Sequence, residues 1–148
     1  GPRRPQAPHA ESAPGVRAEL NEAQAQLYVM AERQAALAQE LSELGAYASS
    51  ELVQSSRRDK QAEMARLDEE SESLVKETRA LASAANEVSL LASGQNKEAT
   101  ERLKSAVSQF NLTLAAYREV EDEVSTHADP SEALRKRAAA AKRHSLGS

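Results

Sequence analysis

A chain of 148 residues with 3% aromatic side chains and no tryptophan cannot fill a wide globular core with large rings. It has no cysteine, which excludes a disulfide framework, a thiolate nucleophile and a cysteine-based zinc site. Its net charge of -4 is uneven: residues 1–15 carry +1, residues 129–148 carry +3, and the stretch between them holds -8, an acidic rod with basic ends.

The 40% hydrophobic fraction is rich in alanine, which with Leu, Glu, Gln, Lys and Arg makes up the strongest helix formers. The expected class is therefore all-α, held by thin seams. No apolar run approaches the ~20 residues that cross a bilayer. The start also lacks the apolar stretch of a signal peptide. The expectation is a soluble, intracellular, cytoplasmic protein.

Residues 1–15, GPRRPQAPHAESAPG, hold four of the five prolines and two of the five glycines. Proline blocks helix and the segment has little apolar surface to bury, so it reads as a disordered lead-in.

From Val16 the apolar positions step by four and three through Leu20, Ala23, Leu27, Met30, Gln34, Leu37, Leu41 and Leu44. That spacing keeps one stripe of a helix facing a partner helix. Gln34 is its single polar member, of the kind that fixes register. Leu20, Leu27, Gln34, Leu37 and Leu41 are accordingly candidate partner-binding residues. The following stretch, GAYASSELVQSSRRDKQ from Gly45, fits a loop or a frayed helix equally well.

A second seam runs through Met64, Leu67, Ser71, Leu74, Thr78, Leu81, Ala85 and Val88, out of phase with the first. Ser71 and Thr78 soften it, as befits a helix that receives a partner. A third runs through Leu103, Val107, Phe110, Leu114, Tyr117, Glu121 and Val124 after another phase reset near Gly94. Glycine is favoured just past a helix end, Asn96 is a good N-cap, and Glu98 suits the first turn of a new helix. These signals predict a corner at Gly94.

Segments 16–44, 62–92 and 97–126 would each span about 45 Å as helix. Their matched lengths predict an antiparallel three-helix bundle or helical hairpin over 16–128. The alternative is an extended dimeric coiled coil.

Residues 129–148 read as a basic tail, partly helical or disordered, with Asp129 and Pro130 able to start a helix. Arg135, Lys136, Arg137, Lys142 and Arg143 suit phosphates of nucleic acid or anionic lipid, or an acidic protein surface. No aromatic residue lies among them to stack on bases. KRHS resembles a basophilic kinase site at Ser145, where a phosphate would subtract charge.

Little else suggests chemistry. His9, His127 and His144 are scattered, and no His pair has the i, i+4 spacing of a zinc helix. The carboxylates around Asp68 to Glu72 and Glu119 to Glu123 read as solvated faces rather than acid/base pairs, since thin seams supply no pocket to shift a pKa. The sequon Asn111-Leu112-Thr113 lies between seam residues Phe110 and Leu114, so a glycan is not expected there.

The functional expectation is a non-catalytic protein–protein interaction module, a scaffold, adaptor or tether that presents helical surfaces, with homodimerisation through the seams as an option. The alternative is an electrostatic binder of nucleic acid, membrane or cytoskeletal filament, whose helices serve to dimerise it. Neither reading calls for a cofactor, a metal or a small-molecule substrate.

Overall fold

A computed structural model describes residues 13–45, 49–92, 97–126 and 129–146. The described residues are all-helical, with four helices and no strand: α1 (Ala13–Leu44), α2 (Glu51–Ala92), α3 (Lys97–Thr126) and α4 (Ser131–Leu146). Residues 1–12, Gly94, Asn96 and His127 lie outside the described residues.

Side-chain contacts fix the helix directions. Between α1 and α2, Arg33 meets Glu63 and Glu40 meets Lys60, so one index rises as the other falls and the pair is antiparallel. Between α1 and α3, Gln24 meets Thr113 and Leu27 meets Tyr117, both indices rising together, so this pair is parallel. The chain therefore reverses between Ala92 and Lys97, the place where the sequence predicts a corner.

The buried side chains form two groups. Val16, Leu20 and Leu27 of α1 pack with Ala82 and Ala85 of α2 and with Leu103, Ala106, Phe110 and Leu114 of α3. Nearer the C-terminus of α1, Ala35 and Ala38 pack with Leu134 of α4, flanked by Met64 and Val124. The first group is a three-helix core; in the second, α4 has entered.

Three expectations are corrected. The segment 129–148, read as a tail with no need to pack, contributes a helix that buries Ala133, Leu134, Ala138, Ala140 and Ala141. The physical reason lies in the alanines, whose low bulk lets α4 approach α1 and α3 closely. The bundle expected from three helices thus contains a fourth.

Second, α2 begins at Glu51 and not at residue 62. The Ser50 hydroxyl accepts the Val53 N–H at 3.4 Å as an N-cap, and Glu51 occupies the first turn, so the serines start the helix instead of fraying it. The α1–α2 register places residues near 57 level with the end of α1, consistent with the Arg57 guanidinium lying 3.9 Å from where a Cβ on Gly45 would stand. Leu52 lies beyond that level and is 81% exposed.

Third, α1 takes in Ala13, Pro14 and Gly15 at its start; proline is tolerated in a first turn. The buried face of α1 is also wider than the heptad stripe, adding Gln24, Ala31, Ala35 and Ala38. A helix touched by three others buries a broad arc rather than a narrow coiled-coil seam.

Candidate functional site

The first-seam residues offered for partner binding are spent inside the chain. Leu20, Leu27, Gln34 and Leu37 are fully buried, and Leu41 is half-buried. A heptad stripe reports that a helix must be covered, without saying which chain supplies the cover. Here α2, α3 and α4 supply it: Leu20, Leu27, Gln34 and Leu37 present no free surface, and Leu41 is partly covered. Gln34 keeps a polar role, its Nε2 donating to Asp68 Oδ1 at 2.5 Å.

The C-terminal cations divide into two sets. Arg135, Lys136, Lys142 and Arg143 are exposed, two pairs seven residues apart along the outer stripe of α4. Arg137 falls on the opposite, alanine-rich face and is 8% exposed. Its guanidinium carbon lies 4.7 Å from the centre of the Tyr117 ring. Its buried Nε–H has no acceptor, and among the described residues the side chain makes no ion pair.

That arrangement leaves one buried donor, the Nε–H, without an acceptor, which carries a desolvation penalty of ~1–3 kcal/mol or more. A cation–π contact returns ~0.5–2 kcal/mol, and an aromatic face accepts no N–H···O bond. The Tyr117 hydroxyl, turned away, donates to the Leu27 carbonyl at 3.1 Å. Burial pushes the Tyr117 phenol up to about 12, with Arg137 pulling the other way, so the ring stays neutral at physiological pH.

Arg137 and Tyr117 line a groove between α2 and α3 with a volume of ≈ 1100 Å³. Its walls are residues 68–79 of α2 and 114–125 of α3, each about 18 Å or three turns long. At the core end the two helices close on each other through Ala82, Ala85, Leu103 and Ala106. Along the groove α2 offers small or short groups such as Ser71 and Ser73, which leave the space between the helices unfilled.

Charges of both signs stand on its walls. Glu69, Glu72 and Glu121 stand there with Lys76, Arg79 and Arg118, while Asp68 accepts from Gln34. Glu121 is a seam position by spacing but is exposed, because the groove lies where a covering helix would sit.

A second hollow, between α1 and α4, is lined by Tyr28, Ala35, Gln39, Arg135, Ala138 and Lys142 among others, with a volume of ≈ 530 Å³. Tyr28 there donates to Glu32 at 2.7 Å, which raises the phenol's pKa. The hollow contains no buried polar group lacking a partner, in contrast to the α2–α3 groove. Among the described residues no three His or acidic side chains gather into a metal-holding group, and no helix is long and apolar enough to cross a membrane. The sequon Asn111 is exposed, so packing does not exclude it as expected; it is Thr113 that is buried.

No family model matches the chain, and no curated protein or solved structure is significantly similar to it.

The groove was only partly foreseeable. Tyr117 and Glu121 lie on the predicted third seam and Ser71 on the softened second one. Arg137 lies in sequence among the exposed bases, although its spacing from Ala133, Leu134 and Ala141 places it on the apolar face of its helix.

Proposed function

We propose that the protein is a non-catalytic interaction module that receives a helix of a partner protein in the groove between α2 and α3. The observation that carries this reading is the groove itself: three turns long, walled by two helices, and lined by a buried arginine whose Nε–H has no acceptor. Laying a helix between two others is a common mode of peptide recognition, read through anchors spaced by three and four residues. The α2 wall, where Ser71 and Ser73 line the groove with short side chains, favours a surface that accepts a helix over one that is already complete.

A second reading rests on the exposed stripe of Arg135, Lys136, Lys142 and Arg143 on α4. Four cations on one helix face suit an anionic surface, and binding there would weaken steeply with salt. The groove carries charges of both signs and binding there would be less sensitive to salt.

A photoreactive amino acid placed at Arg118, in the groove, and separately at Glu22, on the outer face of α1, tests the first reading. The groove position should crosslink a helical segment of one protein at a fixed stoichiometry in high salt, and the outer position should not. Equal capture from both positions, or capture that vanishes with salt while α4 charge reversal abolishes it, would favour the electrostatic reading instead.

A further inference from the structure

Resting on the groove reading, we infer that Arg137 is the recognition residue of the groove and that it binds a single carboxylate, a Glu or Asp side chain carried by the partner's helix. Arg137 is more than nine-tenths buried, lines the groove, and has a buried Nε–H with no acceptor. Its charge is stacked at 4.7 Å on Tyr117, which fixes the guanidinium without satisfying its donors.

Among the described residues no acid pairs with Arg137, although Asp68, Glu69, Glu72 and Glu121 line the same groove. Asp68, the acid on the α2 wall nearest the α1 interface, accepts from Gln34, and Glu121 of the same groove makes no ion pair with Arg137. A carboxylate entering from the groove would accept charge-assisted N–H···O bonds from the guanidinium. It would complete what Tyr117 leaves open.

A phosphate of lipid or nucleic acid could satisfy the same donors, yet the walls argue against it. The acids Asp68, Glu69, Glu72 and Glu121 line the groove beside Lys76, Arg79 and Arg118, so a polyanionic backbone laid along it would meet repulsion as well as attraction, whereas one carboxylate on a helix that also carries bases would pair with the mixed walls. The partner helix is thus expected to bear one acid at its buried face and bases toward Glu72 and Glu121.

The test uses the full chain with ¹⁵N-labelled arginine, following the Nε–Hε resonance of Arg137. Propionate, which reproduces the Glu side-chain acid, is titrated beside inorganic phosphate and chloride at matched ionic strength. The expected result is a saturable shift at Arg137 with propionate, at least roughly tenfold tighter than with phosphate, and none at exposed Arg143. Propionate should also raise the melting temperature of the parent, and Arg137→Met, which lacks the observed resonance, should lose that rise while its own melting temperature without ligand stays level or increases, since a buried donor without an acceptor has been removed.

Drift with propionate no larger than with chloride would overturn the inference. So would phosphate binding as tightly as propionate, which would assign the site to a phosphorylated ligand. A resonance that moves with protein concentration alone would assign it to a second copy of this chain. A large drop in the melting temperature of Arg137→Met would make the residue structural. Groove-specific crosslinking at Arg118 with a silent Arg137 would leave the groove reading standing and this one refuted.

Discussion

The Thr113 hydroxyl of α3 donates to the Gln24 side-chain carbonyl of α1 at 2.9 Å, in a layer where Gln24 is 1% and Thr113 0% exposed. Leu20, Leu27, Phe110 and Leu114 enclose this contact above and below. Together with the Tyr117 hydroxyl on the Leu27 carbonyl, it sets the parallel register of α1 and α3. An apolar stripe can slip by a heptad with little penalty, whereas a buried polar pair has one matched position.

The two partners should respond unequally to removal. The Gln109 carbonyl also lies within reach of the same hydroxyl at 3.1 Å, so its single proton has another acceptor when Gln24 is lost. Gln24 has no such reserve, and its Nε2 already lacks a partner. Thr113→Val should therefore destabilise by ~1–3 kcal/mol, the penalty for stranding a buried amide, while Gln24→Leu should be mild and the double variant close to neutral. Urea unfolding of the four proteins gives the coupling; strictly additive effects would mean that the contact does not form.

The packing of α4 makes a second test. Leu134 is buried against Ala35 and Ala38 beside Met64 and Val124. Leu134→Ala should cost ~2–5 kcal/mol by the usual cavity penalty. Leu52→Ser, at a position 81% exposed beyond the end of α1, should change stability by less than ~0.5 kcal/mol. Thermal or urea melts decide it: a tail that does not pack would leave Leu134→Ala indistinguishable from the parent.

What the sequence reveals and what it hides follow from the same physics. Leu20, Leu27, Leu103, Phe110 and Leu114 could be placed in a core because large apolar groups at helical spacing leave no other reading. The partner of the first seam could not, since spacing records that a face is covered and not whether the cover belongs to the same chain. The packing of α4 was hidden because alanine serves a close helix–helix contact and a solvated helix alike. For the groove, the decisive fact is an omission, a face of α2 where Ser71 and Ser73 stand in place of leucine. Arg137 was obscured by its neighbours: four of the five bases do face outward, and only its position relative to Leu134 and Ala141 sets it apart.

Asp129 provides a pH-dependent test of how α4 starts. Its Oδ1 accepts the Ser131 N–H at 3.1 Å, and its Oδ2 accepts the Ser42 hydroxyl at 3.0 Å, so one carboxylate caps α4 and ties it to the end of α1. Hydrogen bonds from Ser131 foremost, then from Ser42, hold its pKa below the ordinary carboxylate value, with Arg135 adding to the effect. Because the folded pKa is depressed, the folded state binds its proton less readily than the unfolded state. The stabilisation is therefore complete above the unfolded carboxylate pKa and disappears as pH falls toward the folded one. Asp129→Ala should lower the melting temperature at neutral pH, and the gap from the parent should close as the pH drops through the carboxylate range. Asp129→Asn, which can still accept the Ser131 N–H, should lie between them at neutral pH and show no such closure of its own relative to Asp129→Ala. Melts followed by circular dichroism across that range provide the check, and a gap between parent and Asp129→Ala that is independent of pH would show that the carboxylate's charge contributes nothing to the cap.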